Sequence, residues 1–306
     1  MKKKLLFIYN ANAGKGRIKS KLSDVVECFC QADYEVTIYA TQACREATEL
    51  VLEKGEQYDV VACSGGDGTI NEVVTGIMQL SQKPLCGYIP MGTVNDFASS
   101  LKIPKKPLSA AQVIATGNVY ACDIGSFQDR YFNYIAGFGA FTEVAYETPQ
   151  DMKNSFGRAA YFLDALRRIT DIRGYHMRVD YDGTIVEGEY IFGMVCNSKS
   201  VGGFPLEGKK YHMALDDGLF EIVLIRKPNT PMELERTVNA LLVREVNNPY
   251  IDAVRAKDIY MTCDEEVQWT LDGENGGAHK EVHICCNERA IQIFSPKKNH
   301  KRSMKK

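Results

Sequence analysis

The sequence predicts two domains: an α/β domain built on a parallel, Rossmann-like sheet, then a β-rich domain folded as a mainly antiparallel sandwich. Three observations carry this. In the first half, short apolar β-rich runs alternate with helix-patterned segments, as successive βα units do. From His176 onward, short strands separated by turns dominate. The length, 306 residues, suffices for two domains, and no repeat or low-complexity linker separates the halves.

Leu5-Leu6-Phe7-Ile8-Tyr9 has the length and composition of a buried strand. It runs into Asn10-Ala11-Asn12-Ala13-Gly14-Lys15-Gly16-Arg17, a small-residue turn with two cations. This is no Walker A loop, because Gly16 follows Lys15 where Ser or Thr is required. Its place after the first strand still favours a ligand-facing loop, while Lys15 and Arg17 read equally well as solvated turn charges. Residues 18 to 32 pattern as a helix, with Leu22, Val25, Val26 and Phe29 on one face. Tyr34 to Ala40 alternates as a strand closed by Thr41, and residues 44 to 55 look helical.

Tyr58 to Ala62 is another buried strand, and Cys63-Ser64-Gly65-Gly66-Asp67-Gly68-Thr69-Ile70-Asn71-Glu72 follows it. Ile70, Val73, Val74, Ile77 and Met78 mark a helix face. Thr69 and Glu72 have capping-box spacing, so the helix is expected to start at Thr69. Glycines before a helix N-terminus bring backbone N–H groups and a positive dipole end to one place, which suits phosphate. Asp67 is the odd member, since a carboxylate repels phosphate. It reads as a holder of water or Mg²⁺, as an acceptor orienting the loop, or as a plain turn former.

Leu85 to Pro90 is a strand ending in Met91-Gly92-Thr93-Val94-Asn95-Asp96. The strand ends at Tyr9, Thr41, Cys63 and Pro90 should meet along the carboxyl edge of the sheet, where ligands bind. Thr93 is expected to donate to a phosphate, Asn95 to brace the Gly65 loop, and Asp96 to orient a water, metal or hydroxyl. Asn-Asp is also a common helix start. Leu108 to Ala115 reads as a helix and Val119 to Gly125 as a strand containing Asp123.

In the second half, residues 140 to 170 and 230 to 243 look helical. Strands are expected at 177–181, 188–197, 219–226, 259–263, 268–271, 282–286 and 290–293. Two acidic turns stand out, Ala214-Leu215-Asp216-Asp217-Gly218-Leu219 and Trp269-Thr270-Leu271-Asp272-Gly273-Glu274, the latter continuing into a mobile-looking Asn275-Gly276-Gly277.

The formal net charge of -2 gives no bulk field for nucleic acid. The ten cysteines lack metal-ligand spacing and read as reduced thiols of a cytosolic protein. No apolar run approaches the roughly 18 residues of a membrane helix. The tail from Lys297 to Lys306 is strongly basic.

Gly65 to Glu72, followed by Pro90-Met91-Gly92-Thr93-Val94-Asn95-Asp96-Phe97-Ala98, resembles the signature of the diacylglycerol kinase catalytic domain, most closely that of the soluble YegS-like bacterial lipid kinases. The first motif alone is shared with NAD kinase and phosphofructokinase relatives. Ala11 stands where the family usually has proline. The resemblance implies a nucleotide-binding domain over residues 1–128, joined by a returning segment 288–306, and a lipid-substrate domain over 129–287. It implies transfer of the γ-phosphate of ATP to a lipid hydroxyl, with diacylglycerol as acceptor and phosphatidic acid as product. Asn10, Thr41, Gly65, Gly66, Asp67, Gly68, Thr69, Asn71, Glu72, Thr93 and Asn95 would meet the nucleotide. Asp67, Asp96 and Asp123 would be catalytic residues, Asp123 lying near the metal and phosphate network. Asp217 and the backbones of Ala214 and Leu219 would hold Mg²⁺, and Glu274 would be the catalytic base. Residues 140 to 170 would lie near the lipid entrance.

The expected location is the cytoplasm, peripheral to the inner face of the membrane, with the lipid reached at the surface. Nucleic acid is no expected partner, and a homodimer is left open. The alternative is an NAD-kinase-like small-molecule kinase, against which the Gly92 to Phe97 and Asp272 to Glu274 motifs argue. A nucleotide-binding regulator that kept the fold is a third reading.

Overall fold

A computed structural model describes residues 2–139, 173–197, 200–201, 204–205, 214–243 and 248–296. They fall into two compact units. The first holds the chain up to Ile124, the short segment Ala214–Asp217 and the chain from Asn287 onward. The second holds the remainder, from Gly125 to Cys286. The expected helix over 140 to 170 and the basic tail lie outside the described residues.

In the first unit, β1 (Lys3–Asn10), β2 (Tyr34–Thr41), β3 (Val60–Gly65) and β4 (Leu85–Pro90) run parallel in the order β2-β1-β3-β4. Leu5 to Ile8 and all of β3 are buried, as strands covered on both faces must be. Between them come α1 (Leu22–Gln31), α2 (Glu46–Lys54) and α3 (Asp67–Gln79), and after β4 come α4 (Asp96–Ser100) and α5 (Pro107–Thr116). α1 buries Val25 and Phe29, and the Phe29 ring meets Phe7 edge-on at 5.7 Å. α3 buries Ile70, Val73, Val74 and Ile77, the face expected from its period. Cys86 is buried in β4, which pushes its thiol up to about 12 and leaves it an inert packing group.

Two expected helix starts are corrected. The segment before Leu22 forms two 3₁₀ turns, Ala13–Gly16 and Lys19–Lys21, so α1 begins four residues later than residue 18. Helix α3 begins at Asp67 with Gly66 as its N-cap, two residues before Thr69. No capping box forms, because the Glu72 carboxylate is engaged elsewhere. It accepts from the backbone N–H groups of Arg45 (3.0 Å) and Ala47 (3.2 Å) at the start of α2.

The chain enters the second unit within β5 (Val119–Phe127). There follow β6 (Arg130–Phe132), β7 (Ile135–Gly139), β8 (Tyr175–Tyr181), β9 (Thr184–Cys196), the two-residue pair β10 (Ser200–Val201) and β11 (Phe204–Pro205), then β12 (Phe220–Arg226), α6 (Pro231–Val243), β13 (Ile251–Ala256), β14 (Asp258–Leu271) and β15 (Glu274–Phe294). Their pairing is antiparallel: β9 with β7, β8 and β12, β12 with β13, and β14 with β7, β8 and β15. Two pairs of expected strands are each one long strand, β14 and β15, the first carrying a register shift between Thr262 and Val267. The core is aromatic: Trp269 lies 5.0 Å from Phe138 and 5.1 Å from Phe127, and Phe132 lies 5.4 Å from Phe220.

Candidate active site

Parallel register ends β1, β3 and β4 side by side, with Tyr9 opposite Ser64 and Gly65 opposite Pro90. The loops that follow therefore converge. Met91 N–H donates to the Gly65 carbonyl at 2.7 Å, carrying the pairing one residue beyond the strands. A methyl group on Gly92 would lie 2.7 Å from Gly66 Cα, so two backbones touch there with no side chain between them. Gly14, at φ +58°, is held as closely: a Cβ on it would lie 2.3 Å from the Met91 carbonyl oxygen.

Asn95 locks this arrangement from a left-handed backbone, φ 57°. Its Oδ1 accepts from Gly92 N–H at 2.9 Å and lies 3.2 Å from the Tyr88 hydroxyl, and its Nδ2 donates to the Gly92 carbonyl at 2.8 Å. Its backbone N–H donates to Asp67 Oδ2 at 2.9 Å. Asp67 is thus an acceptor that ties the start of α3 to the Gly92 loop, one of the roles read from the sequence. Tyr88, which the sequence reading passed over, is buried beneath both loops. Burial first, then the Asp67 charge, raises its pKa, so the hydroxyl stays a donor.

The other expected nucleotide residues are distributed around these loops. Gly66, Asp67, Gly68, Asn71 and Glu72 are half-buried, Thr93 is exposed, and Thr69 is buried against Gly65. Asp96 is buried in the first turn of α4. Asn10 Oδ1 accepts from Asn12 N–H at 3.0 Å, and Thr41 Oγ1 lies 3.5 Å from the Tyr9 carbonyl oxygen, both at the same strand ends. Glu72, already engaged on α2, braces one helix against another.

Asp123 belongs to another cluster in the same unit. Its Oδ1 accepts from Arg289 N–H at 2.6 Å, and its own N–H donates to the Leu215 carbonyl at 2.7 Å. Asp216 is buried, accepting from the Tyr120 hydroxyl at 2.7 Å, with Arg289 Nε donating to its carbonyl at 3.1 Å. Burial and the Asp216 bond both raise the Tyr120 pKa, keeping it protonated as the donor. Asp217, the expected metal carboxylate, is exposed, Ala214 is buried and Leu219 is half-buried. Among the described residues no three His, Cys, Asp or Glu side chains cluster to hold a metal. Magnesium at Asp217 would therefore rest on one carboxylate, carbonyls and water, a donor set that suits it. Tyr120→Phe removes one donor from a buried carboxylate and should cost about 1–3 kcal/mol of stability, read by urea unfolding.

Glu274 lies in the second unit, exposed, paired across the β14–β15 hairpin with Leu271. The turn between them is Asp272–Gly273, at φ 51° and 86°, as a type I′ hairpin requires. The expected mobile stretch is corrected: Asn275 and Gly277 are already in the β14–β15 ladder, opposite Thr270 and Trp269.

A family model described as the diacylglycerol kinase catalytic domain matches residues 4–127, and one described as the YegS C-terminal NAD kinase beta sandwich-like domain matches 135–295. A diacylglycerol kinase of Bacillus subtilis (strain 168) is 35% identical over 95% of this chain and 99% of its own length. One of Staphylococcus aureus (strain MRSA252) is 35% identical over 97% of this chain and 93% of its own. A solved structure from Bacillus anthracis (strain Sterne) superposes with TM-score 0.82 at 25% identity, covering 96% of this chain and 95% of that one. With both halves matched and relatives alike from end to end, the chain belongs to the diacylglycerol kinase catalytic-domain family.

Proposed function

We propose that this protein is an ATP-dependent lipid kinase that transfers the γ-phosphate to the hydroxyl of diacylglycerol, giving phosphatidic acid. The observation that carries the reading is the meeting of Gly66 and Gly92, where a Cβ would come within 2.7 Å of backbone. Two bare loops at the start of a helix form a surface that polyphosphate can approach closely. The 35% identity to diacylglycerol kinases supports the acceptor.

In this reading the unit of residues 1–124, 214–217 and 287 onward binds the nucleotide, and the unit of residues 125–213 and 218–286 binds the lipid. Gly65, Gly66, Gly68, Thr69 and Thr93 hold the phosphates, with Asn10, Thr41, Asn71 and Glu72 around the nucleotide. Asn95 keeps the loops in register, and Asp67, Asp96 and Asp123 orient water and cation. Asp217 with the carbonyls of Ala214 and Leu219 would hold one Mg²⁺ away from the transferred phosphate, and Mg²⁺ accompanying the nucleotide would offset charge on the phosphate oxygens. Glu274 takes the proton from the attacking hydroxyl. Positioning and electrostatics supply most of the acceleration.

Among the described residues no helix is long and apolar enough to cross a membrane. The lipid is reached from the bilayer surface, where a few basic residues of the 297–306 tail could each add about 1 kcal/mol of attraction to anionic headgroups.

The test is turnover of γ-labelled ATP with dioctanoylglycerol in mixed micelles, run beside NAD. Label in an organic-soluble phosphatidic acid is the expected result. Label in NADP with none in lipid selects the NAD-kinase-like alternative, and ATP binding without turnover on either selects a regulator.

A further inference from the structure

Glu274 offers an exposed carboxylate, yet the backbone on both sides of it is pinned. Two residues earlier, the buried Asp272 carboxylate collects three successive backbone N–H groups: Asn133 at 2.6 Å on Oδ2, and Tyr134 and Ile135 at 3.0 Å each on Oδ1. Asp272 N–H donates to the Ile135 carbonyl at 2.9 Å, and the Tyr134 hydroxyl donates to the Asp272 carbonyl at 3.2 Å. One residue after Glu274, the Asn275 carbonyl accepts from Arg130 Nη1 at 2.8 Å. The hairpin tip is therefore fastened to β6 and to the turn between β6 and β7, all within the second unit.

The turn alone does not call for a carboxylate. Asn-Gly meets the type I′ requirement as well as Asp-Gly does. An Asn side chain would satisfy the N–H groups at Oδ1 but aim an NH₂ at the Asn133 N–H, placing donor against donor. A carboxylate is the group that accepts at both oxygens. The choice of Asp at 272 is thus explained by the N–H cradle and not by the bend.

We infer that Asp272 is a positioning residue, with Arg130 assisting, that fixes the backbone carrying Glu274 while leaving the Glu274 side chain free to meet an acceptor hydroxyl. The inference rests on the kinase reading and on Glu274 as its base. A proton acceptor must be held to a fraction of an ångström, and a 1 Å displacement can cost about 10²-fold in rate. Asp272 itself touches no reacting atom in this scheme.

The test is a double-mutant cycle of Asp272→Asn and Glu274→Gln. Asp272→Asn should lower kcat for dioctanoylglycerol phosphorylation by about 10–10²-fold, with the KM for ATP unchanged. In the Glu274→Gln background the same change should lower kcat by less than about twofold, because the base it positions is gone. Arg130→Met, which alters a half-buried side chain that reaches the Asn275 carbonyl in this hairpin, should show a smaller defect with the same loss in the double variant, and serves if Asp272→Asn does not fold. Equal defects in both backgrounds would assign Asp272 to hairpin stability alone and overturn the inference, as would wild-type kcat in Asp272→Asn. Glu274→Gln by itself reads the base, and wild-type turnover there removes the base assignment and the inference with it. An absence of lipid phosphorylation by the unmodified enzyme overturns the kinase reading first.

Discussion

Glu274→Gln is expected to lower kcat for lipid phosphorylation by about 10²–10⁴-fold, the usual contribution of a positioned general base. The substitution keeps size and shape and removes the carboxylate that would accept the proton. It should cost little stability, since Glu274 is exposed and its backbone pairing with Leu271 does not use the side chain. The glycine loops lie in the other unit and are braced by Asn95, Tyr88 and Asp67, so the Kd for ATP should stay at the wild-type value. Single-turnover labelling at saturating ATP measures the first quantity, and equilibrium binding of a fluorescent ATP analogue the second. A large kcat loss with unaltered Kd and melting temperature isolates the proton-transfer step. Near wild-type turnover would mean that the base lies elsewhere.

What the sequence made legible is what local pattern controls. The run Leu5 to Tyr9 announces a buried strand, and Ile70, Val73, Val74 and Ile77 announce the buried face of α3, because burial follows the 2.0 and 3.6 residue periods directly. The Asp182-Gly183 and Asp272-Gly273 pairs are both type I′ turns, with φ of 49° and 83°, and 51° and 86°. An Asp-Gly dipeptide between apolar strands is itself a hairpin signal, so both turns are legible in the sequence, although Gly276 and Gly277 blur the second. The remainder was set by partners distant in sequence. Thr69 and Glu72 have the spacing of a capping box, but the N–H groups of Arg45 and Ala47 compete for the same carboxylate and win. Asp216 and Asp217 are chemically identical neighbours. Tyr120 and Arg289 decide that the first is the buried one, and nothing within the acidic turn foretells it. Asn287, Glu288 and Arg289 break the apolar pattern, so the sequence of β15 looks like two strands. In the structure Arg289 takes φ 51° within a continuous strand and turns its N–H to Asp123.

The nucleotide side of the mechanism is exposed to a similarly direct trial at Gly92. Gly92→Ala should weaken ATP binding by about 10–10²-fold and cost about 1–3 kcal/mol of stability, the usual range for forcing atoms into a filled space. The added methyl would meet Gly66 Cα at 2.7 Å and Asn95 Oδ1 at 2.8 Å. Neither neighbour can step aside cheaply. Gly66 is the N-cap of α3, whose buried face holds it in place. Asn95 Oδ1 already accepts from Gly92 N–H. The Met91 to Asn95 loop must therefore move, which stretches the 2.9 Å bond from Asn95 N–H to Asp67 and separates the two loops. Stability read by urea unfolding and affinity read by a fluorescent ATP analogue should fall together, because one displacement causes both. A variant that unfolds more easily yet binds ATP like the parent would show that phosphate is held away from the Gly66–Gly92 surface.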